Sequence, residues 1–342
     1  MKKTRVAING FGRIGRAFLK LSFERPEEIE VVAVNDLGSI ESLAYLLKYD
    51  TVYKTWAHEV KHDDQNIIID GKVIRFISEK DATKLPWKDL NIDVVVESTG
   101  LYTSYEQANV HIEAGAKKVV ITAPVKDEAF DPLTQATVLM GVNEEKLKTC
   151  IISSNASCTT NAASPLIAIL DEMLGIEKAI LNTVHGYTAS QSLVDGPSKK
   201  DLREGRAAAQ NIVPSSTGAA IAVTKAFPKL EGLFDGISIR VPVVAGSIVD
   251  VTFIAKRNTT AEEVNMMLKK AASDARWAGI FSTTEEPLVS SDILGSHYGS
   301  IADLEMTRVV GGNLVKVMAW YDNEMGYTYT LVDHVIKTGN AI

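Results

Sequence analysis

The sequence predicts an α/β protein of two domains, a doubly wound domain on a mainly parallel sheet and an α+β domain on a mostly antiparallel one. Three observations lead there. At 342 residues the chain is longer than a single core usually supports, given about 150 residues per domain. The first half alternates short β-branched runs with helical patterns, the signature of parallel strands covered on both faces. The second half carries long alternating runs that follow one another with little helix between them.

Taken in order, strands are expected at Arg5–Asn9, Ile29–Asn35, Asp93–Ser98, Lys118–Thr122, Thr137–Gly141 and Cys150–Ser154. Between Ile67–Ile69 and Val73–Ile77, Asp70-Gly71 reads as a hairpin turn, so an antiparallel insertion is expected within the parallel order. The second sheet is assigned to Lys178–Tyr187, Gly236–Val244, Ile248–Lys256 and Leu314–Tyr321. Thr260–Ala272 has apolar Val264, Met267 and Leu268 at helical spacing behind a Thr260 to Glu263 capping box, and Tyr327–Thr338 reads as a final helix. The polar stretch Ser190–Arg206 reads as a long ordered loop. Domain boundaries are placed at 1–157 with 323–342, and at 158–322.

Composition narrows the functional classes. Hydrophobic residues make up 46% of the chain and charged residues 23%, as in ordinary globular proteins. A net charge of −7 argues against nucleic acid as a primary partner, because phosphate contacts need a basic surface. No apolar run approaches the roughly 20 residues that span a bilayer, and the first ten residues lack the pattern of a signal peptide. A cytoplasmic protein without membrane partners is expected. Its two cysteines, Cys150 and Cys158, lie too close together to staple a large fold, which makes at least one a candidate for chemistry.

The first strand runs into Gly10-Phe11-Gly12-Arg13-Ile14-Gly15 and then a helical segment with Ile14, Phe18 and Leu21 before Pro26. Gly10, Gly12 and Gly15 permit a tight strand-to-helix turn and let the backbone approach a pyrophosphate at the helix N-terminus. A glycine turn serving only packing is the alternative. Asp36 ends the second strand 21 residues after Gly15, where a carboxylate accepts hydrogen bonds from ribose hydroxyls and repels a 2′-phosphate. A Rossmann-type dinucleotide-binding domain with NAD as cofactor is expected. The competing reading of Asp36 is a cap on the following helix.

Cys158 follows a strand and opens an apolar helical segment, where unpaired N–H groups and the helix dipole lower a thiol pKa. Pro165 inside that segment is expected to kink the helix or detach its first turn. Cys150, in an apolar run, reads as a buried structural thiol. A thiolate nucleophile needs a base. His185 ends a β-branched strand and is the preferred partner, whereas His58, His62, His111, His297 and His334 have weaker contexts. None pairs with a cysteine at metal-ligand spacing, so no metal is expected.

Three motifs, Ile8 to Arg16, Ser154 to Asn161 and Trp320 to Tyr327, occur in the order found in glyceraldehyde-3-phosphate dehydrogenases, and the resemblance extends essentially end to end. It implies phosphorylating, NAD-dependent oxidation of glyceraldehyde 3-phosphate through a thioester on Cys158, with His185 as base in an α+β catalytic domain. It also implies cofactor contacts at Arg13, Ile14, Asp36, Lys80, Thr122 and Asn323. Substrate and inorganic phosphate are implied to contact Ser157, Thr159, Thr188, Thr217, Gly218 and Arg240. A homotetramer is implied, with Ser190–Arg206 resembling the loop that reaches a neighbouring subunit's cofactor site. Two departures stand out: Val243-Val244-Ala245 replaces the usual Thr-Pro-Asn after Arg240-Val241-Pro242, and Ala162 replaces a frequent cysteine. The rival readings are erythrose-4-phosphate dehydrogenase, an NADP-linked biosynthetic form, and a redox-sensing or RNA-binding role.

Overall fold

The computed structural model describes residues 3–198 and 201–342. Two compact units emerge. One comprises Met1–Val138, Asn143–Ala156 and Leu331–Ile342, the other Leu139–Val142 and Ser157–Thr330.

The first unit opens with β1 (Thr4–Asn9), α1 (Arg13–Ser22), β2 (Ile29–Asn35) and α2 (Ile40–Lys48). A small ribbon, β3 (Tyr49–Asp50) and β4 (Lys54–Thr55), leads to β5 (Val60–His62), β6 (Asn66–Ile69) and β7 (Lys72–Ile77). β8 (Val94–Glu97), α3 (Tyr105–Ala108), α4 (Val110–Glu113), β9 (Lys118–Ile121), β10 (Gln135–Thr137) and β11 (Ile152–Ser154) follow. Nine strands form one sheet in the order β10-β11-β9-β8-β1-β2-β7-β6-β5. Every residue of β8 is buried, as expected of a central parallel strand covered on both faces. The β6–β7 hairpin turns at Asp70-Gly71, as the dipeptide predicts, but it extends the sheet edge: β7 pairs parallel with β2, while β6 and β5 add antiparallel strands beyond it.

The second unit contains α5 (Cys158–Met173), β12 (Ile176–Gly186), β13 (Val213–Ser216), α6 (Ala219–Ala226), β14 (Phe234–Val241) and β15 (Ser247–Ala255). α7 (Ala261–Ala272), β16 (Phe281–Thr284), β17 (Ser300–Val310) and β18 (Leu314–Tyr321) complete it, and α8 (Met325–Asn340) runs on into the first unit's segment of the chain. Its sheet has the order β13-β14-β12-β15-β18-β17-β16 and is mostly antiparallel, with parallel pairs at β12–β14 and β16–β17. Thr260 caps α7 by accepting the Glu263 N–H, but the Glu263 carboxylate turns to Arg257 and Thr259, so only half of the predicted capping box forms.

Several expectations need correction. The strand expected at Thr137–Gly141 ends at Thr137: Val138 gives one last N–H to Ser154 O of β11, and Leu139 and Met140 are buried beyond the ladder. Cys150 lies before β11, its N–H bonded to Lys146 O at the end of a 3-10 turn. α5 runs through Pro165 without a break. β17, eleven residues long, was not expected, because its central Ala, Leu, Glu and Met favour helix and its strand form is imposed by β16 and β18. The Ser190–Arg206 stretch folds back on itself through Gly196 N to Gly205 O at 2.8 Å, with residues 199 and 200 outside the described part.

Candidate active site

The chain enters α5 through Ala156, a buried non-glycine residue at φ +54°, and Ser157 caps the helix by accepting the Thr160 N–H at 3.1 Å. Cys158 is therefore the first helical residue. Beneath the helix start, register aligns one residue from each of four adjacent strands: Arg240 opposite His185, His185 opposite Ser247, and Ser247 opposite Tyr321. Directly opposed residues point to the same face of a sheet, so this rank forms a continuous polar floor.

Cys158 Sγ lies 3.4 Å from His185 Nε2. The other ring nitrogen, Nδ1, is 2.6 Å from Gly186 O and 2.5 Å from an Arg240 guanidinium nitrogen. One nitrogen cannot donate to the carbonyl and accept from the guanidinium at once, so the two contacts correspond to different tautomers. With Nδ1–H on the carbonyl, Nε2 is free to accept a proton from the thiol. Tyr321, buried, crosses His185 edge-on at 5.9 Å and 71°, while its hydroxyl sits 2.9 Å from Thr159 Oγ1 and 2.7 Å from Thr183 Oγ1.

Electrostatics differ from the sequence expectation. Burial pushes the Cys158 thiol up, against the opposing pull of Arg240 and the hydrogen bonds from Thr159 and its own N–H. Burial, reinforced by Arg240, pushes His185 down to about 3. The resting pair is a neutral thiol beside a neutral imidazole. The lowered thiol pKa expected from the helix N-terminus is thus outweighed by desolvation. Burial also raises the Cys150 thiol, as befits the structural role expected of it.

Arg240 Nε is buried and has no hydrogen-bond partner among the described residues. A buried cationic donor left open in this way is suited to an anionic ligand. Thr188 Oγ1 pairs with Ser190 Oγ at 3.0 Å, Thr217 Oγ1 accepts the Ala219 N–H at 3.2 Å, and Gly218 caps α6 with an exposed backbone. Cys158, His185, Arg240 and Thr159 therefore form one hydrogen-bonded cluster, while Thr188, Thr217 and Gly218 make local contacts. The Val243-Val244-Ala245 departure abuts this cluster: Val243 O accepts the Tyr187 N–H at 3.0 Å, and buried Ala245 packs on Gly186. Asn323 belongs to this unit too, its Oδ1 accepting from Gly246 N and Ser247 Oγ.

In the first unit, the glycine turn behaves as its spacing predicts. A Cβ on Gly15 would lie 2.2 Å from Gly10 O, and one on Gly10, whose φ is +94°, would lie 2.6 Å from the Ser98 backbone. Gly12, by contrast, is exposed with open space over it, and it starts α1 without a side-chain cap. Asp36 Oδ2 accepts the Phe11 N–H at 2.7 Å and Oδ1 accepts the Gly38 N–H at 2.8 Å, leaving each oxygen acceptor capacity for a hydroxyl. The cap on α2 is Ser39, not Asp36. An uncapped helix start, room over Gly12 and an aimed carboxylate make a donor and acceptor set that fits NAD. Arg13 is paired with Asp50, Ile14 is half-buried beside it, Thr122 bonds through its N–H to Glu97 O, and Lys80 is exposed beyond β7.

Tyr321 and Thr183 were not singled out from sequence, nor was the contact of Arg240 with His185. Tyr321 does lie in the Trp320 to Tyr327 motif, the one sequence signal that pointed to it.

Comparison with known proteins gives a consistent result. Residues 4–105 match the family described as glyceraldehyde 3-phosphate dehydrogenase, NAD binding domain, and residues 157–323 match its C-terminal domain. A glyceraldehyde-3-phosphate dehydrogenase of Streptomyces coelicolor is 46% identical over 99% of both chains. One of Thermotoga maritima is 50% identical over 96% of this chain and 97% of its own, and glyceraldehyde-3-phosphate dehydrogenase 3 of Saccharomyces cerevisiae is 46% identical over 97% and 99%.

Proposed function

The chain belongs to the glyceraldehyde-3-phosphate dehydrogenase family, and we propose that Cys158 is its thioester-forming nucleophile and His185 its base. It is an NAD-dependent oxidoreductase acting on glyceraldehyde 3-phosphate with inorganic phosphate; relatives carrying that name over nearly the full chain disfavour the four-carbon substrate. The observation that carries the residue assignment is the 3.4 Å approach of Cys158 Sγ to His185 Nε2 at the start of α5.

Cys158 Sγ bonds to the aldehyde carbon while its proton passes by way of His185 to the carbonyl oxygen, giving a hemithioacetal. Held by the Gly10–Gly15 turn and Asp36, NAD would supply the acceptor for the hydride lost from this carbon. His185 takes the hydroxyl proton, and the carbon is left as a thioester. A phosphate oxygen then attacks the thioester carbonyl, the C–S bond breaks, the departing sulfur takes the proton back from His185, and acyl phosphate leaves as the phosphate's own proton passes to solvent. In this reading the backbone N–H groups at the start of α5 stabilise negative charge on the reacting oxygen.

Arg240 has two tasks in this scheme. Its open Nε binds a phosphate oxygen, and an anion that draws the guanidinium from His185 Nδ1 leaves that nitrogen to the Gly186 carbonyl. That tautomer is the one in which Nε2 acts as a base. Thr188 joins Arg240 in this reading, and Ser157, Thr159, Thr217 and Gly218 serve phosphate through hydroxyl and N–H donors. Gly10, Gly12, Arg13, Ile14, Gly15, Asp36, Lys80 and Thr122 of the first unit are assigned to NAD, as is Asn323 from the second unit's stretch of chain.

Exposed Leu193, Val194 and Leu202 in the 190–206 segment and Ile180 and Ile237 on the sheet support a homotetramer. The protein is further proposed to be cytoplasmic; among the described residues no helix is long and apolar enough to cross a membrane.

The test is NADH formation from glyceraldehyde 3-phosphate, with and without phosphate, in the wild type and in Cys158→Ala. Phosphate-dependent turnover that disappears in the variant, with NAD binding retained, is expected. Turnover surviving in Cys158→Ala would remove the nucleophile assignment.

A further inference from the structure

Beneath the glycine turn lies a buried polar chain that the reaction scheme does not use. Trp87 Nε1 donates to His111 Nδ1 at 3.2 Å. Because the indole nitrogen only donates, Nδ1 must accept, and Nε2 carries the ring proton. Nε2 then donates to Glu97 Oε2 at 2.8 Å. From the other side, Asn35 Nδ2 donates to Asn9 Oδ1 at 2.7 Å, and Asn9 Nδ2 donates to Glu97 Oε2 at 2.6 Å. Thr99 supplies its N–H and hydroxyl to Glu97 Oε1 at 2.8 and 2.5 Å. All donors point toward one carboxylate, and the Glu97 and His111 side chains are 1% and 0% exposed.

A carboxylate this deep is an expensive way to fill space. An apolar trio of similar volume packs at least as well. Its location suggests another use. Asn9, Asn35 and Glu97 are the last residues of β1, β2 and β8, and the residue after each leads into the proposed cofactor site. Asn9 precedes Gly10, Asn35 precedes Asp36, and Glu97 precedes Ser98, whose hydroxyl donates to Gly10 O at 2.6 Å. Asn35 also clamps Glu79, through Asn35 Nδ2 to Glu79 O at 3.0 Å and Glu79 N to Asn35 Oδ1 at 2.9 Å, just before Lys80. On the far side the Glu97 carbonyl accepts the Thr122 N–H at 3.0 Å. The chain thus crosses the C-terminal ends of neighbouring parallel strands, the edge at which such sheets bind ligands.

We propose that Glu97 and His111, linked through Asn9 and Asn35, are positioning residues for the dinucleotide, fixing the relative heights of the strand ends that carry the Gly10–Gly15 turn and Asp36. None of them touches the cofactor; they act through the backbone that does. The proposal rests on the dinucleotide reading of that turn.

The experiment compares the full-length wild type with Glu97→Gln, His111→Leu and His111→Gln, reading NADH affinity by fluorescence titration, KM for NAD, kcat, the alkylation rate of Cys158, and the unfolding midpoint without ligand. Glu97→Gln turns one acceptor oxygen into a donor facing other donors. His111→Leu removes a donor and strands Trp87 Nε1. In both, Kd for NADH and KM for NAD are expected to rise about tenfold, the scale of losing an outer-shell partner. The kcat at saturating NAD and the alkylation rate should stay near the wild-type values, and His111→Gln, which can still donate to Glu97, should recover part of the affinity. Thr99→Val, at the edge of the chain, supplies the same readout should His111→Leu fail to fold. Wild-type NADH affinity in folded Glu97→Gln and Thr99→Val, whatever their unfolding midpoints, would overturn the proposal. Absence of NADH binding by the wild type would instead overturn the dinucleotide reading on which it rests.

Discussion

His334 lies within α8, fully buried, with Nε2 2.8 Å from Ser153 Oγ and Nδ1 3.0 Å from Asn155 Oδ1. An amide oxygen only accepts, so Nδ1 carries the proton and Nε2 accepts the serine hydroxyl, giving a neutral ring with both nitrogens satisfied. Burial, with the charge of Lys337 second, pushes its pKa down to about 3. In the unfolded chain it returns to an ordinary value of about 6.5. Between those limits the unfolded state binds more protons than the folded one, so stability present above pH 6.5 is lost progressively as pH falls toward 3. At pH 5 this single group removes about 2 kcal/mol relative to pH 7.5. The perturbation is the paired substitution Ser153→Val with His334→Leu, which replaces both polar partners with apolar groups; Asn155 Oδ1 loses one donor, at a cost of about 1 kcal/mol at any pH. Urea unfolding of both proteins at pH 7.5 and pH 5.0 isolates the effect, because His185 and the carboxylates titrate in both and cancel from the double difference. The variant should lose about 2 kcal/mol less than the wild type between the two pH values, while keeping its turnover at neutral pH. A double difference within about 0.5 kcal/mol of zero would refute the neutral, buried state assigned to His334.

Arg240→Leu removes the cation that, from the far side of the His185 ring, favours the Cys158 thiolate. The thiol pKa should rise further and iodoacetamide alkylation at neutral pH should slow by roughly an order of magnitude, with Arg240→Lys much closer to wild type; equal rates in the leucine variant would exclude electrostatic support of the thiolate. Tyr321→Phe deletes the hydroxyl shared by Thr159 and Thr183, and should cost about 1 to 2 kcal/mol in urea unfolding. Its NADH affinity should remain unchanged, and a variant of undiminished stability would mean that the two threonines find other partners. Gly15→Ala places a methyl carbon against the Gly10 carbonyl and should weaken NADH binding more than about tenfold without changing Cys158 alkylation; an unchanged Kd would show that the turn can shift to absorb it.

How much was legible in the sequence depends on how local the cause is. The glycine turn, β2 and the final helix follow from residues adjacent in sequence, and the structure places them within a residue or two of expectation. The strand at Thr137–Gly141 and the kink at Pro165 fail for a common reason. Burial accounts for apolar Leu139 and Met140 beyond the end of the ladder, and surroundings that bury α5 on nearly every side hold a proline in a helix that propensity alone would break. β17 is the converse case, a strand whose middle is rich in helix-favouring residues and which is held by its neighbours.

The chemistry of the second unit shows the same division. Cys158 announces itself through the helix it begins, and His185 through the strand it ends. What turns these two into a working pair is the rank of Arg240, His185, Ser247 and Tyr321, drawn from four strands and separated by as many as 136 residues of chain. No spacing rule links those positions; only the pairing register does. Register also explains why the isolated helix-terminus argument gives the wrong sign for the thiol. A helix start lowers a thiol pKa when solvent and N–H groups surround it, whereas here the sheet floor supplies burial along with one cation. That cation lies on the far side of the histidine, so it disfavours the imidazolium even as it favours the thiolate. An anion arriving at Arg240 weakens both effects together, raising the affinity of His185 for a proton when the phosphorylated substrate is in place.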